Sequence, residues 1–180
     1  MSHNQVTGPS DWVRRFAHLI TQGGRVLDLA AGSGRNARWL AEQGYLVEAV
    51  DRDDAALESM QGLANIRLQL ADLENAAWPY GHQQFDGIVI CRYLHRPLLP
   101  LLAASLAAQG VLIYETFMVG HEAYGRPQNP DFLLRPNELL QAFVPELTPV
   151  AFEQGLITQP QTAVIQRICL LKNSAQAAML

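Results

Sequence analysis

The sequence predicts an α/β domain: a doubly wound, mostly parallel seven-stranded sheet with helices on both faces and a C-terminal antiparallel strand pair. Three observations predict it. Short aliphatic runs alternate with helix-length amphipathic segments from residue 25 to residue 115. The runs are apolar at consecutive positions rather than at every second one, as strands covered on both faces require. A glycine-rich turn, Gly32-Ser33-Gly34, joins the first run directly to a helical segment, the junction at which open α/β sheets bind ligands. At 180 residues the chain suits one domain with a real core.

Residues 1–9 read as a loose tail ahead of a single domain over 10–175. Ser10 is placed to cap a helix whose Trp12, Val13, Phe16, Leu19 and Ile20 share one face, with Gly23-Gly24 ending it. Arg25 to Ala30 reads as a buried strand, and Arg35 to Gln43 as a helix closed by Gly44. Leu46 to Val50 is the next strand, and Asp53 caps a helix carrying Leu57 and Met60. Strands follow at Ile66 to Leu70 and Phe85 to Ile90, then a helix from Pro97 to Ala107 and a strand from Val111 to Glu115. Residues 118–135 break the rhythm with Gly120, Gly125, Pro127 and Pro130 and read as a lid-like insertion, since a loop this long in a compact domain is usually functional or disordered. Pro136 suits the first turn of a helix through Phe143. Val150 to Glu153 and Val164 to Leu171 close the sheet as an antiparallel pair, with Gly155 and Pro160 in their connection.

Composition narrows the partners. The net charge of −4 argues against a duplex-DNA partner, which usually demands a clear positive excess, but leaves room for RNA or protein met through a local patch. Cys91 and Cys169 are far apart and belong to no CxxC pair, so neither a disulfide framework nor a zinc site is expected, and no metal is. The N-terminus has no apolar secretion core and no run is long enough to span a bilayer. These features point to the cytoplasm; a monomer or homodimer is the expectation.

The segment Val26-Leu-Asp-Leu-Ala-Ala-Gly-Ser-Gly-Arg-Asn-Ala37 carries the most chemistry. Its glycines let the backbone turn sharply and let a ligand approach with no Cβ in the way. Gly32, Gly34 and Ala37 also satisfy the dinucleotide fingerprint. Asp51, ending the second strand, suits the ribose hydroxyls of either ligand through charge-assisted bonds. Asp28, beside the glycine turn, separates the two: a carboxylate there repels a pyrophosphate and suits an ammonium. Asp72, just past the third strand, is placed for an adenine amino group. The chain also lacks length for the separate substrate domain of a dehydrogenase.

The stretch LDLAAGSGRNARWLAEQGYLVEAVD resembles the glycine loop and second strand of class I S-adenosylmethionine-dependent methyltransferases, and its Gly-Arg-Asn continuation is similar to the small bacterial tellurite-resistance type branch. Over residues 11–171 the order of elements, Rossmann-like with a final antiparallel pair, also fits that family. The resemblance implies S-adenosylmethionine as donor and S-adenosylhomocysteine as product. By it, Asp28, Gly32 and Gly34 line the methionine side, Asp51 holds the ribose, and Asp72 with Leu73 flanks the adenine. Ala30, Asn36, Arg52 and Cys91 complete the expected donor-binding set. One departure is Ala31, where many relatives carry cysteine.

The acceptor candidates follow the fourth strand, in Cys91-Arg92-Tyr93-Leu94-His95-Arg96-Pro97. His95 suits a general base, and Tyr93 suits orienting an acceptor or meeting a sulfonium face-on; both equally suit shaping the turn ahead of the next helix. Arg92 and Arg96, with Arg126 and Arg135, form a possible anion clamp for a carboxylate or phosphate, or else ordinary surface charge. His121 and Tyr124 are lid candidates. There is no Asn/Asp-Pro-Pro-Tyr after the fourth strand and no proline before Cys91, which disfavours adenine or glutamine amino groups and cytosine C5 as targets. A small-molecule acceptor is the expectation. A nicotinamide-dependent oxidoreductase, and a cofactor-binding module acting on a protein or RNA, are the alternatives.

Overall fold

The structure, a computed structural model, describes residues 8–82, 84–144 and 146–172. Residues 1–7 of the expected tail and 173–175 of the expected domain lie outside the described residues. Seven strands form one sheet: β1 (Arg25–Leu29), β2 (Leu46–Asp51), β3 (Ile66–Leu70), β4 (Phe85–Cys91), β5 (Leu106–Phe117), β6 (Leu147–Ile157) and β7 (Ala163–Lys172). Their order is β3-β2-β1-β4-β5-β7-β6. The first five run parallel, and β7 inserts antiparallel between β5 and β6. The chain therefore winds outward from β1 in one direction and from β4 in the other. A crevice opens above the carboxyl ends of those two strands, where the order reverses.

Helices α1 (Asp11–Phe16), α2 (Arg35–Glu42) and α3 (Asp54–Glu58) cover one face. Trp12, Val13, Leu40 and Leu57 pack there with Val26, Val47 and Val89. On the other face α4 (Leu99–Ser105) and α5 (Glu138–Phe143) bury Leu99, Leu102, Leu139 and Phe143 with Leu27, Ile88 and Leu112. Helices of five to eight residues have little stability of their own, so burial against the sheet holds them. No helix among the described residues is long and apolar enough to cross a membrane.

Several expected boundaries move. The helix expected over 97–107 is a 3-10 turn at Arg96–Leu98 followed by α4, which ends at Ser105. Leu106 instead pairs with Phe85, and the ladder resumes at Gly87 with Val111, so the alanine-rich stretch between them is a bulge. Strand pairing has overridden helix propensity there. The last helix begins after Asn137, whose φ of 60° breaks the chain from Pro136. The closing strands are longer than expected, and Gly155 lies within β6 opposite Ile165 rather than in the connection.

One glycine is required by space as well as by backbone. Gly34 precedes α2 at φ 79°, and a Cβ on it would overlap the buried Met60 side chain. Gly34→Ala should therefore destabilise the protein by about 2 kcal/mol, combining left-handed strain with overpacking; chemical denaturation measures it.

Candidate active site

The turn after β1 is tied to β2 at two points. The Ala31 N–H donates to the Val50 carbonyl at 3.0 Å, and the Gly32 N–H donates to Asp51 Oδ2 at 2.7 Å. Asp51 Oδ1 in turn accepts from the Asp53 N–H at 3.0 Å, and the Asp53 side chain caps α3. Two local bonds thus fix the Asp51 carboxylate before any ligand arrives, with a lone pair on each oxygen still available. Asn36, buried at the start of α2, accepts from the Ser10 N–H at 2.9 Å and fastens the start of α1 beside the turn.

Asp28 lies one residue before the end of β1 and is 2 % exposed. Its Oδ2 has no hydrogen-bond partner among the described residues. Burial raises its pKa to about 7, against the Ala37 amide and the Arg35 guanidinium, which favour the charged form; Asp51 adds to the rise. A buried carboxylate with an idle acceptor is costly unless a donor or cation completes it. The residues here therefore fit the ammonium of a methionine moiety, with Asp51 fitting a ribose.

A cleft of about 340 Å³ runs over the ends of β1, β2 and β4. Ala30, Asp51, Arg52, Asp72, Leu73 and Tyr93 line it from below, and Pro127 and Phe132 of the long loop close it from above. Asp72 is held below the usual carboxylate range by the Asn75 side chain and the Glu74 amide, so it presents a charged edge. The Tyr93 hydroxyl is buried with no partner among the described residues, and burial pushes it up to about 12. It is a neutral hydrogen-bonding group at neutral pH rather than a base.

A second cavity of about 390 Å³ adjoins the first. Arg92, Thr116 and Phe117 line both. Its other walls come from Gly8 to Asp11 with Arg14, from Arg35, and from Ile157, Gln159 to Gln161, Ala163, Ile165 and Arg167. Ala30 and Arg92, the residues just beyond β1 and β4, have φ of 55° and 58°. Left-handed backbone in non-glycine residues is uncommon and concentrates at functional sites.

Among the expected site residues, Asp51, Arg52, Asp72, Leu73, Ala30, Tyr93 and Arg92 gather at the cleft. Asp28 lies buried beneath it, and Cys91, the last residue of β4, is a thiol that burial pushes up to about 12. Others do not reach it. His95 flanks the 3-10 turn and lines neither cavity. Arg96 is withdrawn from the anion clamp: its guanidinium binds Glu138 at 2.6 Å and the carbonyls of Asp131 and Leu133 at 2.7 and 2.9 Å. It braces the long loop against α5. His121 is 3 % exposed and stacked on Phe117 at 4.0 Å. Its Nδ1 accepts from the Val164 N–H and its Nε2 donates to the Arg126 carbonyl. It is a pin under the loop rather than a group facing ligand. Tyr124 and Arg126 are exposed outside both cavities, and Arg135 is exposed too. The sequence reading missed Arg14, Arg35, Glu115, Thr116 and Phe117; a charged residue closing an aliphatic strand, as Glu115 does, was the available signal.

The family described as a methyltransferase domain matches residues 26–108. A protein-L-isoaspartate O-methyltransferase of Gloeobacter violaceus is 38 % identical over 104 residues, covering 54 % of this chain and 49 % of that protein. The chain thus spans about half the length of the curated relative it matches. The crystal structure of TehB from Haemophilus influenzae superimposes with a TM-score of 0.74 at 19 % identity, over 95 % of this chain and 64 % of that one. A TehB-like SAM-dependent methyltransferase from Corynebacterium glutamicum gives 0.63 at 19 % identity, over 90 % and 87 %. At such identities the two structures establish a shared fold.

Proposed function

We propose that the chain is a class I S-adenosylmethionine-dependent methyltransferase, a reading supported by the methyltransferase-domain match over residues 26–108 and the 38 % identical relative, and that it transfers the donor's methyl group to a small-molecule acceptor by direct displacement. The observation that carries this reading is the buried, unpartnered Asp28 oxygen one strand away from the pre-fixed Asp51 carboxylate. That pair favours a cationic, ribose-bearing donor over a doubly anionic dinucleotide.

S-adenosylmethionine supplies, when bound, a methyl group activated on a sulfonium. The protein's share is positioning and exclusion of water, which can contribute on the order of 7–11 kcal/mol to such a displacement. Asp51 orients the ribose and Asp28 the ammonium. Leu73, Pro127 and Phe132 cover the adenosine side with apolar surface. Tyr93 lines the donor cleft and not the second cavity, so its part is on the donor side of the transfer. A small acceptor is favoured by the second cavity, whose volume of about 390 Å³ falls in the range of small-molecule sites, roughly 300–1,000 Å³.

Isothermal titration tests the donor half. S-adenosylhomocysteine should bind the folded protein and NADH should not. No heat from S-adenosylhomocysteine at millimolar concentration would remove the proposal. Product detection by mass spectrometry across a metabolite panel tests the transfer half, and a macromolecule as the sole methylated species would redirect it.

A further inference from the structure

The second cavity holds more positive charge than its own acids neutralise. Its two acids are committed: Glu115 accepts from Ser10 Oγ at 2.9 Å and from Arg167 at 3.3 Å, and Asp11 lies 4.0 Å from Arg14. Arg167 also pairs with Glu153 at 2.6 Å. Two guanidiniums are left over. Arg35 donates to a neutral carbonyl, Gly8 O, at 3.2 Å, and the acid whose field it feels is Asp28 of the donor site. Arg92 has no hydrogen bond or ion pair from its guanidinium among the described residues; it rests over the Phe117 ring at 5.9 Å. Burial and the charge of Arg35 both loosen its proton relative to a free arginine.

An arginine on strained left-handed backbone, facing a second arginine and no free acid, is arranged for an anion from outside. Guanidinium is the group best matched to a carboxylate, because its planar fork makes two parallel bonds. Phe117, Ile157, Ala163 and Ile165 give the cavity an apolar stretch beside the polar Ser10, Thr116, Gln159 and Gln161. We propose that Arg92, supported by Arg35, binds the carboxylate of a small organic-acid acceptor whose apolar body lies along Phe117, Ala163 and Ile165. This rests on the methyl-transfer reading above and names its acceptor class. The donor's own methionine carboxylate is the other source of the same chemistry. The cavity favours the acceptor, since Ile157, Ala163 and Ile165 line it with apolar surface that the donor's carboxylate alone would not use.

Saturation-transfer NMR on the full chain, saturated with S-adenosylhomocysteine, tests this without turnover. The probes are benzoate, phenylacetate and hexanoate, each beside its neutral amide. At least one acid should bind, with its amide about tenfold weaker or more, and Arg92→Gln should weaken that acid about tenfold, a clearly larger factor than its effect on S-adenosylhomocysteine, whose cleft Arg92 also borders. The proposal is overturned if no acid binds, if acids and amides bind alike, or if Arg92→Gln leaves acid binding unchanged. A matching loss of S-adenosylhomocysteine affinity in Arg92→Gln assigns the guanidinium to the donor and also overturns it. Failure of the underlying reading is seen separately, as wild-type protein that does not bind S-adenosylhomocysteine in the absence of any acid.

Discussion

Asp51→Ala should lower the affinity for S-adenosylhomocysteine by about a hundredfold or more. Two charge-assisted bonds from ribose hydroxyls, at about 1.5–3 kcal/mol each, set that scale. The substitution acts twice, because Asp51 also anchors the glycine turn through the Gly32 N–H at 2.7 Å. Asp51→Asn removes the charge and keeps only one of the two ties: its amide oxygen can still accept from the Gly32 N–H, while the Asp53 N–H loses its acceptor. Calorimetric titration of both variants gives the comparison. A loss in Asp51→Ala smaller than about 1 kcal/mol contradicts a ribose contact.

The second large effect is a pH dependence set by Asp28. Its pKa in the folded protein, about 7, stands above the ordinary carboxylate value of 3.8. The folded chain therefore holds a proton that the unfolded chain has lost, and this group's contribution to stability falls as pH rises from about 4 to about 7, at up to about 1.4 kcal/mol per unit. Ligand binding has the opposite sign. An ammonium beside Asp28 favours the ionised form, so below about pH 7 binding must expel a proton, and affinity for S-adenosylhomocysteine should fall by up to about tenfold per unit as the medium is acidified. Above that pH the affinity levels off. Asp28→Asn should flatten the profile and, at about pH 8, bind roughly tenfold or more weakly. Titrations in buffers of different ionisation enthalpy report the expelled proton directly. A flat wild-type profile between about pH 5.5 and 8.5 would mean that the ammonium does not meet Asp28.

The parts of this site that were legible in the sequence are those built locally. Gly32, Gly34 and Asp51 sit at strand ends and turns whose chemistry is written in adjacent residues, and Asp28 and Asp72 follow from the same strand rhythm. The arginines were harder. Arg96 and Arg92 stand four residues apart in one segment, yet the 3-10 turn sends Arg96 to Glu138 while Arg92 faces the cavity. Arg14 and Arg35 join Arg92 only because the sheet order brings α1, α2 and the end of β4 to one rim. No spacing along the chain encodes that meeting. His121 misled for a related reason: it stands in a loop of glycine and proline, but Met118 bridges to Leu134 and buries the ring beneath that loop. The early start of β5 was hidden because Leu106-Ala107-Ala108 has helical propensity and only its partner Phe85 decides otherwise.

Thr116 and Phe117, with Arg92, front both cavities at once. A partition shared in this way makes the two occupants thermodynamic partners. Whatever factor a molecule on one side lends to affinity on the other must be returned in full, since linkage is reciprocal for binding free energies. If the second cavity takes the acceptor as proposed, donor and acceptor are not independent tenants of separate rooms: whatever cooperativity the shared wall gives is one number, the same whichever arrives first.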